Sequence, residues 1–257
     1  MCFSWGGDLF VIGIIANYAA VAADTFSSEL GILSKSEPRL ITSLTLRKVP
    51  RGTNGGVTLL GLGAGLLGSI IIVTSSMLFL PLCNEESAAW KSGGGAPWST
   101  ENRQLFMGFL VLWGTLGSVL DSFLGAIFQR SVKDVRTGKI VEGDGGVRVL
   151  VSDEAGGSDV RADIKASVLH GEGSKATENT GEAAVDESDE VANKFDPKNK
   201  HRKPSFGDEK PSRVVESGWD LLDNNDVNFL MAVTMSVSGM AVASWYWGVP
   251  WQSMLNP

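Results

Sequence analysis

The chain has 257 residues, a net charge of -7 and a mean hydropathy of +0.07, averages that would suit an ordinary soluble protein. The averages mislead, because apolar and charged residues are segregated into blocks, and block structure decides the class. Of the 29 Asp and Glu, 21 lie between Gln129 and Asp226, with 15 of the 22 Lys and Arg, so the acidic balance belongs to one segment and identifies no partner.

Four apolar stretches are long enough to cross a bilayer, which takes roughly 20 helical residues. They run over Phe3–Ala23, Val57–Leu82, Leu105–Phe128 and Val227–Trp247. The expected fold is therefore all-α, a polytopic transmembrane bundle. Residues 1–140 form a membrane domain with a glycine-rich cytoplasmic loop, 141–217 a disordered polar insert, and 218–257 the last helix and tail. The first stretch lacks the basic start and small-residue cleavage pattern of a signal peptide, and Asp8 interrupts it. A membrane segment within a few residues of Met1 is unusual, which creates the expectation of an N-terminally truncated chain.

Asp24 closes the first stretch in Ala23-Asp24-Thr25-Phe26-Ser27-Ser28-Glu29. On a continuing helix Asp24 and Ser28 share a face, while Glu29 stands about 140° from Asp24. Two acids at a membrane boundary can hold a divalent cation; a helix end with solvated carboxylates is the alternative. Next comes Arg47-Lys48-Val49-Pro50-Arg51-Gly52-Thr53-Asn54-Gly55-Gly56, cationic and glycine-rich, running into the second apolar stretch. Such a loop can lay backbone N–H groups on a phosphate at a helix N-terminus. It is not a Walker A loop, since no Gly-Lys-Ser/Thr follows, and a plain turn is the alternative. In the second stretch Gly61, Ala64, Gly65 and Gly68 read as a helix-packing face.

Asp121 lies inside the third stretch, where a carboxylate is costly and points to function, against a structural hydrogen bond. Gly117, Asp121 and Gly125 share its face. Before the fourth stretch, Asp223, Asn224, Asn225 and Asp226 exceed what one helix cap needs. The polar segment between has few aromatics and cannot offset its ordering entropy; a short strand pair is expected around Lys139–Ser152.

Lys and Arg cluster in 24–56 and just after Phe128, which puts those loops in the cytoplasm and both termini outside it. Trp5, Trp90, Trp98, Trp245, Trp247 and Trp251 fall on the opposite side, as an interfacial belt would. Asp24, Glu29, Arg51, Thr53, Asn54, Asp121, Asp223, Asn224 and Asn225 then all map to the cytoplasmic half. Cys2 and Cys83 are too few and too far apart for a disulfide framework or a zinc site, so any metal is a hard one held by carboxylates. No nucleic-acid partner is expected.

At these residues the chain resembles the transmembrane protein 19 family. The resemblance rests on Ala23 to Gly31, Pro38-Arg39-Leu40-Ile41-Thr42, Lys48 to Thr58, Gly117 to Ala126 and Leu222 to Asn228. Plant and photosynthetic bacterial members are associated with phytyl-phosphate kinase activity. The resemblance thus implies a multi-pass membrane protein of an endomembrane such as the endoplasmic reticulum, and an isoprenoid (phytyl or polyprenyl) phosphate kinase. By the same implication Asp24, Glu29 and Asp121 hold Mg²⁺, and Arg51, Gly52, Thr53, Asn54, Gly55 and Gly56 bind phosphate of a nucleoside triphosphate or the lipid. Ser28, Asp223, Asn224 and Asn225 then form a supporting polar shell. Family members carry further membrane segments before the Asp24 motif and a shorter connection where this chain has its insert. A transporter or flippase, or a non-catalytic membrane scaffold, are the alternatives.

Overall fold

Four long helices carry the apolar blocks in the computed structural model, which describes residues 1–89, 95–134, 137–141, 213–219 and 221–254. They are α1 (Leu9–Gly31), α2 (Leu59–Phe79), α4 (Thr100–Phe128) and α5 (Asn224–Trp247), with a short α3 (Glu85–Ala89) between α2 and α4. Each is long and apolar enough to span a bilayer, so the expected polytopic bundle is what the chain forms. The chain divides into two compact units, one of Met1–Glu37, Val57–Leu124 and Asp226–Pro257, the other of Pro38–Gly56 and Gly125–Asn225.

Helix ends in the first unit differ from the hydropathy boundaries for identifiable reasons. Helix α1 does not stop at Ala23 but continues to Gly31. Its polar last turns are satisfied from within, as Thr25 Oγ1 donates to the Val21 carbonyl (2.9 Å) and Ser28 Oγ to that of Asp24 (3.0 Å). Helix α2 begins at Thr58, whose extended backbone and Oγ1, accepting from the Gly61 N–H at 3.0 Å, make a standard N-cap. Ser99 does the same for α4 through the Asn102 N–H (3.1 Å), which starts that helix five residues before its apolar run.

Small residues set the spacing of this bundle. A Cβ on Gly61, Gly65 or Gly68 would stand 3.0, 3.0 and 2.7 Å from the carbonyl oxygens of Ser27, Ala23 and Ala22, so α2 lies directly on the backbone of α1. The packing role expected of that glycine face is what it performs. Helix α5 packs on α1 through Ser236 Oγ to the Gly13 carbonyl (2.9 Å) and Asn17 Nδ2 to that of Ala232 (3.2 Å). Trp113 Nε1 ties α4 to the Met235 carbonyl at 3.0 Å. Between them Leu9, Ile12, Ala16, Ala19, Val73 and Leu110 are fully buried.

At one end of this unit the structure corrects two readings. Cys2 and Cys83 are joined as a disulfide, with Cα atoms 4.9 Å apart. Their separation in sequence hid the pairing, because α1 and α2 return the chain to the same end. Asp8 there is buried and accepts from the Cys2 N–H at 2.5 Å. Nor do the tryptophans act uniformly as a lipid-facing belt. Trp98 is 6% exposed and packs edge-on against Phe3 and Trp247, whereas Trp245 is 82% exposed.

The second unit contains strands that an all-α reading omits. Strand β1 (Arg39–Leu40) pairs with β2 (Gly56–Val57). Strand β3 (Ser131–Asp134) is flanked on both sides, antiparallel, by β4 (Ile140–Val141) and β5 (Arg213–Ser217). The last five residues assigned to the polar insert are thus an ordered strand, stabilised by a partner far away in sequence. Residues 142–212, which carry the rest of the expected insert and most of the expected Lys139–Ser152 strand pair, lie outside the described residues. Leu40, Val49 and Ala126 form a small core here. Glu216 holds it at the surface through Arg47 (3.0 Å) and Lys133 (3.8 Å).

Candidate functional site

In the first unit α1 and α4 run side by side in the same direction. A Cβ on Gly114 would meet Ala19, and one on Gly117 would stand 2.4 Å from the Ala20 Cβ. One turn further along both helices stand Asp24 and Asp121. The close glycine contact is what lets two carboxylates on different helices approach across an apolar bundle.

Ser118 and Asp121 both lie near enough to the Asp24 carboxylate to act on it electrostatically, Ser118 by attraction and Asp121 by repulsion. Oδ1 of Asp121 is buried and has no hydrogen-bond partner among the described residues. An orphaned carboxylate oxygen at membrane depth is expensive, and a proton or a cation would relieve that cost. Its donors are two carboxylates and a hydroxyl, all hard oxygens, which fit Mg²⁺ better than any soft metal.

Glu29 does not join the pair. It is exposed, as its phase on α1 requires, and no three His, Cys, Asp or Glu among the described residues form a metal-holding group. Ser28 is also exposed, with its hydroxyl spent on the carbonyls of Asp24 and Thr25 rather than on a carboxylate. Ser118 was not singled out by sequence. Its signal was there, three residues before Asp121 and therefore on the same helix face.

The glycine-rich loop, in the second unit, is two turns in tandem. Thr53 N–H bonds to Pro50 O (3.3 Å) around Gly52 at φ 84°, and Gly56 N–H to Thr53 O (2.9 Å) around Gly55 at φ 77°. Each glycine occupies the position of a turn that needs positive φ. The loop does not itself form the N-terminus of α2, since β2 and the Thr58 cap stand between. Three of its six amides are committed: besides those of Thr53 and Gly56, the Asn54 N–H donates to Ser131 Oγ at 2.9 Å. Thr53 is buried with its hydroxyl on Pro50 O (2.7 Å). Among the six loop residues, Arg51 and Gly52 are the exposed ones.

In the same unit Asp223 occupies the N-cap position of α5, and its carbonyl accepts from Gln129 Nε2 at 3.2 Å. Asn224 and Asn225 are exposed in the first turn. Gln129 and Ser131, both buried, support these two loops and could be recognised only once the sheet had formed.

Comparison with known proteins agrees with this architecture. The model of the family described as integral membrane protein DUF92 matches residues 1–236. Protein PGR of Arabidopsis thaliana is 39% identical over 122 residues, covering 46% of this chain and 38% of that protein. Uncharacterized membrane protein MJ0933 of Methanocaldococcus jannaschii is 35% identical over 133 residues, covering 50% of this chain and 42% of that protein. The matched stretches thus span about two fifths of each relative's own length. No solved structure matches.

Proposed function

We propose, from the premise that the chain belongs to the integral membrane protein DUF92 family, that it transfers phosphate to an isoprenoid monophosphate within the membrane. The observation that carries the proposal is the Asp24–Asp121 pair with Ser118, set among apolar helices and holding one unsatisfied buried oxygen. The resemblance to phytyl-phosphate kinases supplies the substrate class.

In this reading Asp24 and Asp121 would hold Mg²⁺, which supplies charge neutralisation to phosphate oxygens. A phosphate oxygen of the isoprenyl monophosphate attacks the γ-phosphorus of a nucleoside triphosphate. The bond to the β-phosphate oxygen breaks, and the nucleoside diphosphate leaves. Phosphoryl transfer asks the protein for position and charge rather than covalent chemistry. Ser118 orients the Asp24 carboxylate. Glu29 takes no part.

The disulfide and the basic loops support one orientation. A Cys2–Cys83 bridge belongs in an oxidising compartment, and the cationic segments 39–51 and 130–139 belong in the cytoplasm. In this reading the phosphate chemistry takes place on the cytoplasmic side of an endomembrane, where nucleotide is present.

A second reading is favoured by the same orphaned oxygen: a coupling-ion or proton site of a transporter. One reconstitution separates the two. Proteoliposomes are given radiolabelled nucleoside triphosphate and a panel of isoprenyl monophosphates, and both phosphate transfer and substrate flux are measured. Transfer abolished by Asp121→Asn establishes the kinase. Flux lost in the same variant, with no transfer in the parent, establishes the transporter.

A further inference from the structure

In the second unit the chain from Pro38 to Val49 is a short hairpin with an unusual tip. Its base is buried at Pro38, Leu40 and Val49 and closed by the Val49 N–H to Pro38 O (3.0 Å) and the Leu40 N–H to Arg47 O (2.9 Å). The tip is a turn from Ser43 to Leu46, closed at 2.8 Å, in which Ser43 Oγ also meets Thr45 Oγ1 (3.2 Å) and the Arg47 N–H (3.3 Å). Arg39 reaches along the hairpin to the Leu46 carbonyl (3.2 Å). The tip is therefore held in one shape by its own bonds.

That shape displays leucine at a cost. Leu44 is 105% exposed and Leu46 is 46% exposed. Leu46 also sits at φ 48°, a left-handed conformation that glycine or asparagine takes without penalty and a leucine does not. Turn chemistry favours Gly there, and burial within the unit does not repay the leucine. Around these leucines the segment 38–56 carries four cations, Arg39, Arg47, Lys48 and Arg51, and no acid. Arg47 is shared with Glu216. Apolar tips flanked by cations match the surface of an anionic leaflet, where leucine enters the acyl boundary and Lys or Arg meets phosphate. The hairpin is also joined to membrane-spanning helices on both sides by at most ~10 residues, a reach of no more than ~35 Å.

We infer that the Pro38–Val49 hairpin is a membrane-dipping finger, with Leu44 and Leu46 inserted into an anionic bilayer surface and Arg39, Arg47 and Lys48 over its headgroups. This stands whether or not the chain transfers phosphate.

The test uses the whole chain in nanodiscs of phosphatidylcholine alone or mixed with phosphatidylserine. A nitroxide is attached at Leu44→Cys; Cys2 and Cys83 are paired, and no free cysteine is present among the described residues to compete. Collision rates with oxygen and with a water-soluble nickel complex then report depth. The inference requires oxygen to exceed nickel in the anionic discs, and the excess to shrink in the neutral discs and at high salt. A label equally open to nickel in both discs overturns it. So does a label immobilised and shielded from both reagents, which would show the tip docked on protein.

Discussion

Gly108 and Gly117 lie on one helix, and the structure assigns them opposite sensitivities. A Cβ at Gly108 would meet nothing within 4 Å, whereas one at Gly117 would stand 2.4 Å from the Ala20 Cβ and 3.0 Å from its Cα. Two carbon atoms settle at ~3.5–4.0 Å, so Gly117→Ala demands more than ~1 Å of extra separation between α1 and α4. Overpacking of this kind costs ~1–3 kcal/mol. Gly108→Ala, by contrast, gains up to ~1 kcal/mol of helix propensity. With ~2–4 °C per kcal/mol for a chain of this size, Gly117→Ala should melt several degrees below the parent and Gly108→Ala at or above it. Thermal unfolding of the purified variants in one detergent, followed by loss of monodisperse protein, measures both. Equal melting temperatures, or a Gly117→Ala protein more stable than Gly108→Ala, would refute the close α1–α4 approach and the carboxylate pairing that depends on it.

Asp121→Asn keeps shape and removes a membrane-buried charge; phosphate transfer should fall on the order of 100-fold or more while the melting temperature does not drop. Glu29→Gln, on the exposed side of α1, should leave transfer within about twofold in the same assay, because a surface group so placed changes little. Thr58→Ala should cost ~1 kcal/mol of stability and Thr58→Ser a few tenths, read as paired melting curves, because only the alanine removes the oxygen that caps α2. Cys83→Ser should destabilise by ~2–4 kcal/mol through loss of the loop closure, and gel mobility of the parent should change on reduction while that of the variant does not.

Among the candidate site residues, Asp121 was legible because an acid in an apolar run is anomalous by itself. Its partner was legible only as a second acid nearby, and helix phase already set Glu29 apart from Asp24 without saying which of them faced inward. The glycine-rich loop was recognisable as a turn-former, with Gly52 and Gly55 where positive φ is needed. That three of its amides are taken by Pro50, Thr53 and Ser131 was not, since Ser131 comes from a strand that follows two membrane helices later in the sequence.

What the sequence determined by itself was the set of spanning helices and their small-residue faces. In lipid every backbone polar group must be satisfied within the segment, so a long apolar run has to be helical, whatever its neighbours. Tertiary structure alone decided which carboxylates meet, that Cys2 finds Cys83, and that Arg213–Ser217 leaves the polar block to pair with β3. Each depends on which faces of distant segments come together, a matter of packing geometry rather than of any local period.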